Sequence, residues 1–425
     1  MLSGIRNRLN AYPRQFWILF FGQLVSSVGM SLIWPFMTIY VRERLDVTLT
    51  VVGLVLAANS MAGLVSQLVG GPVVDRFGRK IAMAVSLGGR AVLMLGLGLA
   101  DSLFSFSVLI VLSGFFGHLF NPALNSMVAD LVESEKRTEA YSLMRIVSNL
   151  GIAIGPAIGG FIATRSYLVS FVVASLASAI YFFIILFFIR ETKPEASIDL
   201  GDSATDTMGY GPVVRDLSFL SFCLSYVVMG IAYAQMMTIL PVYMKDGYQI
   251  VESQYGLIMA ANAAMVVFFQ YPVTRGLRRL TLGPTLTLGA LFVAVGLGTV
   301  AFSSTFPMFL LSMVIVTIGE LIFFPACVTF VADLAPESMR GRYMGVFGMS
   351  LGVSFGMAPA LGGYINDNLG PVFIWQIMAI VAFLSAVAFL PIGGRAARQS
   401  ARTKPASGSA MAIPMANPQS SSSEE

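Results

Sequence analysis

Four ionisable residues lie inside long apolar runs of this chain: Glu320, Arg90, Arg145 and His118. If those runs cross a membrane, an ionised side chain at mid-bilayer costs about 2.5–3.5 kcal/mol, so each group must face protein or a water-filled cavity. Burial disfavours the charged form of a carboxyl, and Glu320 could therefore take up and release a proton near neutral pH. We expect Arg90 to brace its own helix bundle. Together these residue types indicate proton transfer inside a membrane.

Glu320 is the strongest candidate for that role because it is the only acid near the middle of an apolar run. The alternative is a protonated acid that hydrogen-bonds two helices together. His118 is the only histidine, and histidine changes charge between about pH 5 and 8, which suits a proton relay. Its alternative is a hydrogen-bonding core residue. Arg145 shares a helix face with Asn149 and could join a polar cluster or pair with an acid such as Asp130.

Composition excludes several reaction classes. The chain has one histidine and two cysteines, Cys223 and Cys327, so it offers no metal cluster, disulfide framework or Ser/His/Asp constellation. The sequence contains no G-x-x-x-x-G-K-[ST] phosphate loop, which disfavours ATP-driven transport. We therefore expect no catalytic residue, no metal and no cofactor.

The elements that must position these residues are membrane-spanning helices. Of the 425 residues, 56% are hydrophobic and 11% are charged, and the mean hydropathy is +0.79. A helix rises about 1.5 Å per residue, so about 20 apolar residues cross the hydrocarbon. The sequence predicts an all-α integral membrane protein whose twelve spans lie at 15–40, 50–73, 80–100, 104–130, 139–163, 167–189, 215–243, 254–274, 282–302, 305–331, 342–365 and 371–392.

The distribution of positive charge predicts the orientation. Of the 26 lysines and arginines, two fall inside spans, and all but four of the others lie on the side of the termini. The four exceptions are Arg42, Arg44, Arg165 and Lys245. The positive-inside rule places the basic side in the cytoplasm. We therefore expect a multi-pass protein of the plasma (inner) membrane with cytoplasmic termini, and a net charge of +4 that does not indicate nucleic-acid binding.

The two halves of the chain repeat each other at a shift of 203 positions. Val128-Ala129-Asp130-Leu131 recurs as Val331-Ala332-Asp333-Leu334, and Pro156-Ala157 recurs as Pro359-Ala360. Matches of polar residues at one fixed offset are hard to produce by compositional bias. The shift also maps Tyr40 to Tyr243, Asn59 to Asn262, Gln67 to Gln270 and Arg137 to Arg340. Each half is predicted to hold six helices of the same topology, as in transporters built from parallel repeats.

This repeat divides the chain into segments. The stretch around 191–214 is polar and reads as a linker, and the last residues are rich in serine, alanine and proline. The predicted segments are a cytoplasmic N-terminus (1–14), a six-helix bundle (15–190), a cytoplasmic linker (191–214), a second six-helix bundle (215–392) and a disordered cytoplasmic tail (393–425).

The connection between spans 2 and 3 reads Gly71-Pro72-Val73-Val74-Asp75-Arg76-Phe77-Gly78-Arg79-Lys80. It resembles the G-x-L-A-D-R-x-G-R-[RK] signature of the major facilitator superfamily of transporters, and the resemblance covers roughly residues 15–392. The resemblance implies two pseudo-symmetric six-helix bundles that rock about a shared central cavity.

The same resemblance implies a latch on the cytoplasmic side. Asp75 would lie against the positive N-terminus of span 11, and Arg79 would pair with Asp130. Both contacts would hold that side shut and would part when it opens. The alternative is a basic turn that only sets topology. The predicted latch comprises Gly71, Asp75, Arg76, Gly78, Arg79, Lys80 and Asp130.

Span 5 carries a run that resembles the G-x-x-x-G-P-x-x-G-G pattern of the antiporter branch of the superfamily. Small residues four apart let backbones approach closely, and the proline bends the helix. In antiporters such a run is associated with the interface against span 8 and with sealing of the cavity. Ordinary small-residue packing is the alternative. The residues are Gly151, Gly155, Pro156, Gly159 and Gly160.

One position departs from the antiporter pattern. Many drug:proton antiporters carry an arginine in span 4, four residues before a glycine, and alignment on Gly117 puts Ser113 at that place. The proton-coupling candidates are therefore Glu320, His118 and Arg145. In this fold spans 1, 4, 7 and 10 line the cavity, and the implied wall residues are Gln23, Trp34, Asn121, Asn125, Tyr226, Tyr233, Gln235, Phe323 and Phe324.

The resemblance favours proton-coupled efflux of small amphipathic compounds by alternating access. A transporter of one metabolite, such as a sugar, peptide or organic anion, is the alternative on the same scaffold. A non-transporting membrane receptor is an alternative of another class, although Glu320 and the latch would then have no evident role. We expect the partners to be a small-molecule substrate, protons and the lipid bilayer, without nucleic acid, and we expect a monomer.

Overall fold

The structure is a computed structural model that describes residues 12–133, 136–193, 211–277, 280–336 and 339–403, with the backbone alone at 138 and 392–403. Within these residues every regular secondary-structure element is a helix, and twelve helical segments are long and apolar enough to cross a membrane. Spans 1 to 12 are Arg14–Leu45, Leu49–Phe77, Arg79–Leu99, Leu103–Leu131, Glu139–Ala163, Tyr167–Phe188, Leu217–Thr238, Glu252–Leu277, Leu282–Val300, Phe306–Leu334, Arg340–Leu369 and Phe373–Pro391. The predicted number and order of spans are confirmed.

Prolines lie at a helix break inside span 1 and at the break directly after span 7. Span 1 consists of Arg14–Ile33, a 3-10 turn at Trp34–Phe36, and Met37–Leu45. Span 7 is followed directly by the short helix Leu240–Tyr248. Pro35 and Pro241 lie at the two breaks, where a residue without an N–H cannot continue the helical hydrogen bonds.

The segment boundaries differ from the predicted ones in two places. The helix of span 12 continues to Thr403, beyond the predicted end at 392, because its extension is rich in the helix formers alanine and arginine. A short helix, Gly211–Arg215, overlaps the end of the predicted linker (191–214). Residues 1–11, most of the linker (194–210) and 404–425 of the predicted tail lie outside the described residues.

Helix pairing follows the internal repeat. In the first half span 1 packs on spans 5 and 6, span 3 on spans 4 and 6, and span 2 on span 4. The second half repeats these pairs, since span 7 packs on spans 11 and 12, span 9 on spans 10 and 12, and span 8 on span 10. Between the halves span 2 packs on span 11 and span 5 packs on span 8. The shift of 203 relates these two pairs to each other, because it maps span 2 onto span 8 and span 5 onto span 11. The two pseudo-symmetric bundles are therefore present.

The two membrane faces differ in how closely the halves approach. We call the face with the connections 77–79, 131–137 and 188–217 the basic face, and the other the opposite face. At the opposite face Phe36 and Leu49 of the first half join the core of the second half. Towards the basic face, a Cβ atom added to Gly341, Gly345 or Gly348 of span 11 would have no described neighbour within 4 Å other than the backbone of its own helix. The halves are closed together at the opposite face and parted at the basic face.

Candidate functional site

Glu320 lies in the middle of span 10 and points into the second bundle. Its carboxylate accepts a hydrogen bond from Asn262 Nδ2 on span 8 at 2.8 Å, and the same nitrogen donates to Thr317 Oγ1 at 2.9 Å. Tyr233 on span 7 is a second neutral polar group close to this carboxylate. Among the described residues no basic side chain lies within ion-pair distance of Glu320. The acid is thus held by a neutral donor from span 8, beside a neutral polar group of span 7.

The first bundle has a different polar group at the equivalent place. The shift of 203 maps Glu320 onto Gly117, whose carbonyl oxygen accepts a hydrogen bond from Arg90 Nη2 at 2.7 Å. Arg90 Nη1 also donates to Ser26 Oγ at 3.3 Å. Arg90 therefore connects spans 1, 3 and 4, in agreement with the bracing role predicted for it. One half holds an acid at mid-membrane and the other a cation.

The other two titratable candidates, His118 and Arg145, lie apart from Glu320. His118 Nδ1 lies 2.9 Å from the carbonyl oxygen of Gly114 in its own helix, and the ring packs on Gly63 of span 2. The structure brings neither His118 nor Arg145 into contact with Glu320. Arg145 and Asn149 are both exposed on span 5, and among the described residues Asp130 forms its ion pair with Arg79 and not with Arg145.

The predicted cavity residues fall into two groups. Trp34, Asn121 and Asn125 are exposed, whereas Gln23 and Phe324 are half-buried. Gln23 Nε2 donates to Ser148 Oγ at 2.9 Å and so joins spans 1 and 5. The remaining four lie inside the second bundle and do not line an open cavity in this conformation: Tyr226, Tyr233, Gln235 and Phe323.

Gln235 illustrates why burial could not be inferred from residue type. Its Nε2 donates to the carbonyl oxygen of Ala358 on span 11 at 2.9 Å, and its side chain packs on Gly362. An amide in span 7 therefore joins two helices of one bundle, because buried polar groups in a bilayer must find partners inside the protein.

The predicted Arg79–Asp130 pair is present on the basic face. Arg79 Nε lies 3.1 Å from Asp130 Oδ2, and Arg79 is mostly buried. Asp75, by contrast, is 74% exposed and lies 3.9 Å from Arg79 Nη1, away from span 11. The contact implied between Asp75 and span 11 is thus open here, as it should be when the basic face is parted.

Glu191 is a residue of this region that the sequence reasoning missed. Its carboxylate accepts hydrogen bonds from the backbone N–H groups of Arg79 and Lys80, both at 3.0 Å. A carboxylate at a helix N-terminus satisfies unpaired donors and complements the helix dipole. Gly78, at φ 94°, brings the backbone against Glu191 where a side chain would collide with it. The sequence Arg190-Glu191-Thr192-Lys193 after span 6 did not indicate a cap, because Glu191 was assigned to the linker.

The glycine–proline run of span 5 packs mainly within its own half. Gly151 and Gly155 lie against Ser27 and Ser31 of span 1, and Gly159 lies against Leu32. Gly160 alone of these glycines contacts span 8, where its Cβ position is 2.5 Å from the carbonyl oxygen of Glu252.

Pro156 also contributes to the contact with span 8. Its carbonyl oxygen lies 2.7 Å from the Cβ position of Gly256. The expected interface with span 8 is thus made by the end of the run, at the opposite face, and the rest of the run holds spans 1 and 5 together.

A set of charged residues closes the opposite face, and the sequence reasoning missed it too. Arg42 at the end of span 1 binds Asp246, and Glu43 binds Lys245 across the same boundary. The shift of 203 maps Arg42 onto Lys245 and Glu43 onto Asp246, so the two ion pairs are related by the internal repeat. This recurrence of a cation followed by an acid was the available signal.

Lys245 also reaches a third acid. Its Nζ lies 2.6 Å from Glu252 Oε1, and Glu252, which is only 4% exposed, also accepts a hydrogen bond from the Tyr167 hydroxyl. Burial by itself lowers the pKa of Lys245, but hydrogen bonds with Glu252 and Glu43 outweigh it, and the pKa lies above its usual value. Lys245 therefore stays charged while it joins both halves.

Comparison with known proteins identifies the family. Residues 19–288 and 222–416 match the family model described as Major Facilitator Superfamily. The chain is 30% identical to the MFS-type transporter YttB of Bacillus subtilis over 84% of this chain and 90% of that protein. It is also 26% identical to the multidrug resistance protein MdtH of Aeromonas hydrophila, over 82% and 86% of the two chains.

More distant matches agree with this assignment. The Na(+), Li(+), K(+)/H(+) antiporter of Planococcus maritimus is 23% identical over 80% of this chain and 86% of that protein. A crystal structure of a POT family transporter in complex with 5-aminolevulinic acid superposes with a TM-score of 0.76 at 15% identity, over 90% of this chain and 97% of that chain. That likeness shows the fold alone. The chain belongs to the major facilitator superfamily and is a membrane transporter rather than an enzyme.

Proposed function

We propose that this transporter uses a proton gradient to export small amphipathic compounds by alternating access, with Glu320 as the proton-coupling residue. The observation that carries the proposal is the environment of Glu320. The carboxylate lies at mid-membrane on span 10, is half-buried, and is hydrogen-bonded by Asn262 without a basic partner among the described side chains. An unpaired carboxylate in that setting is held most easily in its protonated form, and ionises when water or substrate reaches it.

The neutral donors around Glu320 support a reversible change of charge. Asn262 and Tyr233 can donate to the ionised carboxylate, and a protonated carboxyl can stay between the same groups. A buried ion pair would instead hold the charge permanently. His118 and Arg145, which do not contact Glu320, are secondary candidates for proton coupling.

Export of amphipathic compounds is supported by the relatives and by the glycine–proline run of span 5. MdtH is named a multidrug resistance protein, and the relative from Planococcus maritimus is named a cation/H+ antiporter. The exposed Trp34 and the half-buried Phe324 are candidate contacts for an apolar substrate. A transporter of one metabolite is the second candidate, since a POT family transporter shares the fold.

We further propose that the basic face lies in the cytoplasm of a plasma membrane and that the protein works as a monomer. The positive-inside rule supports the orientation, because nearly all lysines and arginines of the connections lie on that face. One chain contains both bundles and therefore both walls of the cavity, which supports a monomer. In this orientation the structure corresponds to an inward-open state.

The test is proton-driven transport by purified protein in proteoliposomes. A lipophilic cationic dye and an imposed proton gradient are the probes, and Glu320→Gln is compared with the wild type. Glutamine keeps an acceptor for Asn262, so the variant should fold normally while losing gradient-driven dye transport. Glu133→Gln removes an exposed acid from the basic face and is the matched control.

Three outcomes would each contradict one part of the proposal. Dye transport that follows the gradient in Glu320→Gln would remove Glu320 from the coupling role. A wild type that moves peptides, nucleosides or Na+ in response to the gradient, but not the dye, would replace the proposed substrate class. Dye transport without any response to the gradient would overturn proton coupling.

A further inference from the structure

Asp367, near the end of span 11, caps the beginning of span 2 in the other half of the molecule. Its Oδ2 accepts a hydrogen bond from the Thr50 backbone nitrogen at 2.7 Å and another from Thr50 Oγ1 at 2.6 Å. Thr50 lies in the first turn of span 2. A carboxylate at this place satisfies an unpaired N–H and complements the positive end of the helix dipole. The contact joins the two bundles at the opposite face.

The internal repeat places a similar cap at the equivalent position of the other helix pair between the halves. The shift of 203 maps Thr164 onto Asp367 and Thr50 onto Ser253. Thr164 Oγ1 at the end of span 5 accepts a hydrogen bond from the Ser253 nitrogen at the start of span 8, at 3.2 Å. Both inter-half helix pairs therefore carry the same cap, and only the pair of spans 2 and 11 makes it with a charge.

Spans 2 and 11 are antiparallel, and each has an acid near its C-terminal end. Asp367 lies at the opposite face, and Asp75 on span 2 lies at the basic face. The helices touch at Gly53 with Pro359, at Gly356 with Ser60 and at Gly352 with Leu64. One turn further towards the basic face they have parted, and around Gly348 the described residues leave open space.

The N-terminus of span 11 lies at the basic face, as the capped N-terminus of span 2 lies at the opposite face. Its N-cap residue, Met339, makes no side-chain hydrogen bond to the helix, and its first turn contains no acid. Asp75, the acid on the facing helix, is 74% exposed in the same structure. One end of the helix pair is therefore capped by the acid of its partner, while the acid at the other end is held away.

We propose that Asp367 is a second latch, at the opposite face, which alternates on the same helix pair with the Asp75 latch implied by the resemblance to the superfamily. When spans 2 and 11 approach at the opposite face, Asp367 caps span 2 and Asp75 is released. When they approach at the basic face, Asp75 caps span 11 and Asp367 is released. Because the two helices diverge from one end, both caps are not made together, and the two acids set the balance between the two conformations. This inference deepens the proposed alternating access and rests on it.

The balance is measurable without substrate or gradient. Spin labels on the full chain in lipid nanodiscs, in a background lacking Cys223 and Cys327, would report the separation of the halves. Leu103 with Ser304 samples the opposite face, and Glu133 with Leu280 samples the basic face. Asp367→Asn keeps an acceptor oxygen but loses the charge that complements the helix dipole, so it should shift the population ratio towards the state with the opposite face open by about two- to fivefold. Asp75→Asn should shift the ratio the other way once the basic face can close.

A double variant and a charge-matched control make the test specific. Asp75→Asn combined with Asp367→Asn should return the ratio towards the wild-type value, which a variant that merely damages packing would not do. Asp101→Asn removes a charge from the same face but affects only the pair with Arg44 inside the first half, and it should leave the distances unchanged.

Two results would overturn the proposal: unchanged distances in Asp367→Asn, or shifts in the same direction for both single variants. The ion pairs of Arg42 and Lys245 also cross the boundary, so the closed state should be weakened but not abolished. If the distances respond as expected while gradient-driven dye transport is absent, the latches stand and the proposed efflux function fails.

Discussion

Arg42 and Asp246 form an ion pair between the two halves, and the internal repeat turns this pair into that of Lys245 and Glu43. Duplicated sequence has thus produced two reciprocal contacts about one pseudo-twofold axis. Each half supplies a cation and an acid, so the closed opposite face has no net charge from these four groups. The contacts must all break when that face opens.

The first prediction concerns Lys245, which holds two acids. Lys245→Met should leave the Glu252 carboxylate buried with Tyr167 as its remaining partner and should lower the free energy of unfolding by about 1–3 kcal/mol. The pKa of Lys245 in the folded protein lies above its usual value, so its stabilisation is complete below about pH 10, the region of the unfolded pKa, and is lost as pH rises through the folded pKa. Thermal unfolding in detergent between pH 6 and 11 measures both effects.

The control for this variant is Lys136→Met. Among the residues that the structure describes, Lys136 pairs with the exposed Glu133, and its loss should change stability by less than about 1 kcal/mol. The difference between the wild type and Lys245→Met should be constant from pH 6 to 9 and should shrink above pH 10. A difference that grew with pH would contradict the assigned ion pairs.

The second prediction concerns close approach at the opposite face. A Cβ on Gly160 would lie 2.5 Å from the carbonyl oxygen of Glu252, so Gly160→Ala should force spans 5 and 8 apart and favour opening of that face. Gly345→Ala is the matched control, because nothing described lies within 4 Å of its Cβ position, and alanine is the better helix former by about 1 kcal/mol. Accessibility of a cysteine introduced at Ser253 to a water-soluble thiol reagent reports the difference. Equal labelling of both variants would show that the contact does not hold the face closed.

The third prediction concerns Glu191, which caps the start of span 3. Glu191→Ala leaves the N–H groups of Arg79 and Lys80 without this acceptor and should destabilise the start of the helix by about 0.5–2 kcal/mol. Hydrogen exchange of peptides covering 76–84 should become faster, whereas exchange in span 9 should not change. Glu133→Ala removes another acid from the same face without touching a helix N-terminus, and protection equal to that of Glu191→Ala would argue against the cap.

Residue type alone did not predict which side chains of span 7 line the cavity. Tyr226 and Gln235 were expected at the cavity wall, because spans 1, 4, 7 and 10 line the cavity in this fold. Both are buried against span 11 or neighbouring aromatic rings. Which face of a fully apolar helix points inward depends on its neighbours, and the sequence of span 7 has little amphipathic pattern to reveal it.

The sequence by itself determined the twelve spans, their division into two repeated bundles and the signature after span 2, whose resemblance to the superfamily implied the Arg79–Asp130 pair. Apolar length and charge distribution act on each segment separately, and the repeat and the signature are read along the chain, so none of these needs the assembled structure. Only the tertiary structure decided that the opposite face is closed, that Glu191 caps span 3, and that Asp367 reaches Thr50. These contacts join residues that are distant in the chain, and the contacts between the halves depend on how two rigid bundles are inclined, which no local pattern encodes.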